Sequence, residues 1–160
     1  MDTLNSKIKE SRKEKDRIEK LKIIKSFTRE YFEELISSGS TESFYIDLCT
    51  LLDAIFIYDF HYEGTSLASR MNDHFNKLES NLPKSRVCDD GCGSMVQDND
   101  YENSVVIPEK EKFEHLRDIF NRLRIQRNNI AHCAHEPVEE LSSSEMKECL
   151  DYVFQLIKEY

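Results

Sequence analysis

The 160-residue chain has no tryptophan, four glycines and three prolines. Turn-formers this scarce exclude an architecture of many short strands, which needs a turn about every ten residues. No apolar run reaches the roughly 18 residues that a membrane-spanning helix requires. The opening stretch MDTLNSKIKE runs into charges instead of a hydrophobic segment, so no secretory signal is expected. Phosphate-binding glycine loops, dinucleotide fingerprints and paired Glu-x-x-His signatures are also missing. The five cysteines are odd in number and irregular in spacing, which argues against a disulfide framework and for a reducing, cytoplasmic setting. A zinc site would have to join Cys88 and Cys92 to Cys133 or His135. The three-residue gap between Cys88 and Cys92 fits unconnected residues in a loop better, so no metal and no cofactor is expected.

What the chain does have is helical periodicity. One long helix is expected over 4–37, with Ile18, Leu21, Ile24, Tyr31, Phe32 and Leu35 at helical spacing and the run Ser37-Ser38-Gly39-Ser40 as its stop. Residues 42–60 are almost continuously apolar and predict a central buried helix, although AIFIYDF alone also has strand propensity. A third helix is expected over 66–80, with Leu67, Met71, Phe75 and Leu78 on one stripe. Residues 84–108 lack periodicity and read as a flexible acidic loop. From 109 to about 132 Phe113, Leu116, Phe120 and Leu123 form another stripe. Met146, Leu150, Val153 and Ile157 line a last helix after Ser142 to Ser144. The sum is one all-α domain over 1–160: a bundle of about four long helices plus a shorter element, with one long acidic loop.

The formal net charge of −9 is uneven. Residues 1–30 carry ten basic and six acidic side chains, and 112–127 carry five and two. Between 87 and 109 there are six acids and no Lys or Arg, and 136–151 hold six acids and one Lys. A localised basic site inside an acidic shell is therefore compatible with RNA.

That site is expected at the end of the fourth long helix, in RLRIQRNNIAHCAHEP. Arg124, Asn128 and His132 are four residues apart and share a face. Arg127 lies off it, about 140° from His132 on an ideal helix. Histidine exchanges a proton near neutral pH, arginine matches phosphate with a fixed charge, and asparagine can orient either. The set suits phosphodiester cleavage without a metal. The same residues also suit plainer roles, a helix-end dipole partner for His132 and capping or interface contacts for Asn128 and Asn129.

The run RLRIQRNNIAH resembles the signature of the HEPN superfamily: an Arg, a polar residue, and a His after four to six intervening positions. Arg127, Asn128 and His132 match those places in turn. The position of the motif on a late helix of an all-helical chain is similar too. The resemblance implies a metal-independent endoribonuclease and a homodimer in which two copies of Arg127 and His132 meet one RNA phosphate. Asn128 would complete the catalytic set, with Arg124 and His135 as substrate-binding residues. It also implies a toxin or antiviral-defence setting, with an antitoxin or regulatory protein as a further partner. One toxin branch carries a Tyr two residues after the motif His, where this chain has Ala134. The alternative is a noncatalytic HEPN-like module that binds a protein or a nucleotide.

Overall fold

The computed structural model describes residues 2–82, 87–89, 95–97 and 107–158. Among these, six helices follow in order: α1 (Asp2–Ser26), α2 (Arg29–Ser38), α3 (Thr41–Tyr58), α4 (Leu67–Ser80), α5 (Ile107–His132) and α6 (Ser143–Lys158). The all-α class holds. The β structure among the described residues is one small antiparallel ribbon, β1 (Val87–Asp89) against β2 (Met95–Gln97), inside the acidic segment expected to be a loop. Cys92 and most of that segment lie outside the described residues.

The central helix is α3, not a strand. Phe44, Tyr45, Leu48, Cys49, Leu51, Leu52, Ala54, Ile55 and Phe56 are all buried, covering more than half of its circumference. It packs against every other described helix. On its remaining face Ile46 and Ile57 are exposed. The core is completed by Met71 and Phe75 of α4, Leu116, Ile119, Phe120 and Leu123 of α5, and Met146, Leu150 and Val153 of α6.

The single helix expected over 4–37 is two. The chain breaks at Phe27 and Thr28, where Thr28 is extended (φ −92°, ψ 158°) and its hydroxyl accepts from the Tyr31 amide at 3.2 Å. Threonine caps a helix better than it continues one. The break lets Phe27 lean on Phe32, whose ring is fully buried edge-on against Phe44. At the other end of α2, Gly39 adopts φ +74°, and the amides of Gly39 and Ser40 return to the carbonyls of Ile36 and Leu35. Only a residue without Cβ takes that conformation freely, so Gly39 sets the sharp entry into α3.

Polar links fix how the helices dock. Arg70 of α4 is buried and grips Asp53 of α3 with two guanidinium nitrogens, at 2.7 and 3.1 Å, while a third donates to the Gly64 carbonyl. Gly64 cannot carry a side chain here, because a Cβ would stand 2.5 Å from the Ser69 hydroxyl. Helix α6 begins with a reciprocal cap. The Ser142 hydroxyl accepts from the Glu145 amide and the Glu145 carboxylate accepts from the Ser142 amide, each at 3.1 Å. The same carboxylate pairs with Arg122 of α5, which holds it below the usual carboxylate range, and Ser142 adds to the effect.

His74 of α4 is 3% exposed and surrounded by Phe56, Phe60, Tyr62, Phe75 and Tyr152. Its two ring nitrogens meet the hydroxyls of Tyr62 and Tyr152, at 2.9 and 2.5 Å. A neutral imidazole has one donor and one acceptor nitrogen, and a phenol hydroxyl can serve as either partner, so both contacts are met while His74 is uncharged. Burial, helped by Lys77, pulls its pKa down to about 4.

Two outcomes follow from this packing. Leu48→Ala, at a fully buried position of α3, should cost about 2–5 kcal/mol of folding free energy. Urea unfolding measures it, and a loss well under 1 kcal/mol would contradict the central place of α3. His74 is neutral in the folded chain where the unfolded chain, with the ordinary value of 6.5, already binds a proton. Its contribution is therefore whole above about pH 6.5 and falls by about 3 kcal/mol as the pH drops toward 4. An NMR titration of the His74 ring should show a midpoint near 4; one near 6.5 would mean that water reaches it.

Candidate nucleic-acid site on helix α5

Helix α5 begins at Ile107, with Pro108 in its first turn, where a missing amide proton costs nothing. Two stripes run along it. The apolar one steps by three and four through Phe113, Leu116, Phe120 and Leu123 and continues, beyond Arg127, to Ile130. Arg127 occupies the place on this stripe where the pattern calls for a hydrophobic residue.

The side chain of Arg127 follows that stripe inward. Its Nε is buried and has no hydrogen-bond partner among the described residues. The guanidinium lies close enough to Cys49 of α3 to act on its thiol both by charge and by a hydrogen bond. Burial pushes Cys49 up to about 12, and the charge of Arg127 is the first influence opposing that rise. A polar atom hidden without a partner is a net loss for folding, of about 1–3 kcal/mol.

The second stripe is polar: Arg117, Asn121, Arg124, Asn128 and His132, spaced four, three, four and four. Nη2 of Arg124 donates to Oδ1 of Asn121 at 2.8 Å. Nη2 of Arg117 donates to Oδ1 of Asn76 on α4 at 2.8 Å, and its guanidinium lies 5.9 Å from the centre of the Phe75 ring. Asn128 is half-buried, His132 is exposed, and neither has a hydrogen-bond partner among the described residues.

The helix ends sharply after His132. Cys133 adopts a left-handed conformation (φ 49°) and the Ala134 amide returns to the Asn129 carbonyl at 3.1 Å. The Asn129 side chain clamps the reversed chain from both sides. Its Nδ2 donates to the Glu136 carbonyl at 2.9 Å and its Oδ1 accepts from the Glu136 amide at 3.1 Å. Asn129 is thus a loop-holding residue, and the two adjacent asparagines have separate tasks.

Of the five expected site residues, the structure sets Arg124, Asn128 and His132 on one face. Arg127 is half-buried, with its Nε on the core side. His135 is exposed in the clamped loop beyond the helix. No hydrogen bond or ion pair joins Arg127 to His132 within the chain. Arg117 and Asn121 were missed, although the same spacing extends the polar stripe back to them. The remaining histidines are engaged or remote: His115 pairs with Glu148 at 2.6 Å, and His61 lies in the α3–α4 connection. Among the described residues no group of three or more His, Cys, Asp or Glu side chains could hold a metal ion. Nor is any helix among them long and apolar enough to cross a membrane.

The chain matches no family model, no curated protein and no solved structure.

The buried Nε of Arg127 makes a direct test of whether this residue serves folding. Arg127→Met removes the unpartnered donor and keeps most of the side-chain length. Its folding free energy should stay within about 1 kcal/mol of the parent or rise above it. Chemical unfolding would show this, and a loss of several kcal/mol would mean that the guanidinium holds the bundle together.

Proposed function

We propose that the chain is a metal-independent endoribonuclease of the HEPN type, active as a homodimer. The observation that carries the reading is Arg127. A cation on the apolar stripe, with its Nε hidden and unpartnered, carries a folding cost that an apolar residue in the same place would not. Five residues further on stands His132, exposed and free of partners among the described residues. A costly arginine five residues before an unoccupied histidine fits a pair kept for chemistry.

One chain's geometry also supports the dimer. Arg127 and His132 diverge by about 140° around α5, so a single copy does not close both upon one phosphate. Two copies related by a two-fold axis supply two arginines and two histidines. One His132, unprotonated, takes the proton from the RNA 2′-hydroxyl. The 2′-oxygen attacks the adjacent phosphorus, and His132 of the second copy, protonated, gives its proton to the departing 5′-oxygen. Arg127 stabilises the charge that gathers on the phosphoryl oxygens, and Asn128 orients the histidine or the strand. The products are a 2′,3′-cyclic phosphate and a 5′-hydroxyl. Arg124 and His135 flank the strand on either side of His132. On this reading the protein works in the cytoplasm as a toxin or antiviral-defence component, held in check by an antitoxin or another regulatory protein.

His132 is exposed, so replacing it should leave the bundle intact. Wild-type protein incubated with RNA and EDTA should cut it, and His132→Ala should slow cutting by about 10²–10⁴-fold. Equal cutting by both would sink the proposal. No cutting by either would leave the chain as a binding module.

A further inference from the structure

Between α4 and α5 lies a cavity of about 300 Å³, at the lower end of the range that small-ligand clefts occupy. Its floor is apolar, formed by the buried side chains of Met71 and Phe75. Ala68, Asn72, Asn121, Arg117 and Arg124 complete its lining. No carboxylate lines it, in a chain that carries nine more acids than bases. Arg117 does have an outside neighbour in Glu79, at 3.7 Å, but Arg124 has no ion pair among the described residues.

The amides are disposed to read a ligand. Asn121 already accepts from Arg124 through Oδ1, so its Nδ2 donor remains for an incoming acceptor. Asn72 has no partner among the described residues and offers both a donor and an acceptor. The Arg117 guanidinium lies over the Phe75 ring, 5.9 Å from its centre, and is itself a planar group on which a heterocycle stacks. A bare anion would satisfy the two guanidinium groups but leave the floor and both amides unused. A purely apolar molecule would strip water from two cations without replacing it. A molecule with a flat heterocycle at one end and a phosphate at the other engages both arginines and both amides.

Its place relative to the proposed cleavage site fixes the source. Arg124 precedes His132 by eight residues on the same polar stripe, roughly 12 Å along the helix, or about three stacked nucleotides. We infer that this cavity receives one nucleotide of the RNA strand, its base against the Arg117 guanidinium that covers Phe75 and its phosphate on Arg124, a few nucleotides from the phosphate that is cut. The inference rests on the ribonuclease reading and adds to it a base-selecting pocket: sequence preference is set by Asn72 and Asn121, not by the Arg127–His132 motif.

The test uses full-length His132→Ala protein, so that RNA survives. A fluorescein-labelled single-stranded RNA decamer, the four nucleoside monophosphates and inorganic phosphate are titrated separately. Anisotropy follows the decamer, and the side-chain amide NMR signals of Asn72 and Asn121 follow every ligand. The decamer should shift both amide signals, and adding Asn72→Ala with Arg117→Gln should weaken its binding at least about tenfold. Silent amides, or unchanged affinity in that variant, overturn the pocket. Equal shifts from inorganic phosphate overturn its nucleotide character. Shifts from free mononucleotides alone overturn the placement on an RNA strand. Cleavage by the wild type is scored independently. Binding here without any cutting would remove the ribonuclease reading and leave the pocket, while His132-dependent cutting with silent amides would do the reverse.

Discussion

The burial of α3 is the constraint on which the rest of the molecule depends. More than half of its surface is apolar and closed off from water, and it reaches that state only because helices from both sides of it in the chain pack around it. The position of α5 follows. Leu116, Phe120 and Leu123 dock it along α3, and the Cys49 thiol reaches the Leu123 carbonyl. Once that stripe is seated, rotation about the helix axis is fixed, and so are the directions of Arg127 and of the polar row from Arg117 to His132. The candidate site is thus a by-product of core packing, which is a rigid way to hold chemistry.

Much of this was legible in the sequence. The helical class, the span of α5, the central helix and the sharing of one face by Arg124, Asn128 and His132 all follow from periodicity, because that signal depends only on which residues are apolar. The break at Thr28 was not legible. Threonine is tolerable within a helix, and it becomes a cap here because Phe27 and Phe32 gain more by turning into the core than a continuous helix would allow. His74 was passed over for a related reason. A histidine on an amphipathic helix looks solvated until Tyr62 and Tyr152, from distant parts of the chain, are seen to close over it.

Arg127 is the instructive intermediate. Its position, four residues after Leu123 and three before Ile130, was plain, but a charged residue type overrides the eye's expectation of a core position. Its cost appears only when the burial of Nε and the nearness of Cys49 are known. Places where local rules fail without compensation are where function is most often found. The neighbouring Asn129 teaches the opposite lesson. It has the residue type of a ligand-binding group, yet both ends of its amide are consumed in holding Glu136.

The central placement of α3 has a consequence for synthesis. It is complete by residue 58, yet α5 starts only at Ile107 and α6 at Ser143. At translation speeds of about 5–20 residues per second, the nascent chain spends several seconds with the α5- and α6-facing side of α3 bare. During that interval the most hydrophobic of the described helices is an adhesive surface, and two nascent copies on neighbouring ribosomes present the same one to each other. Premature termination after α4 would leave a fragment with no means of covering it, so the last third of the chain acts, in effect, as the protein's own chaperone.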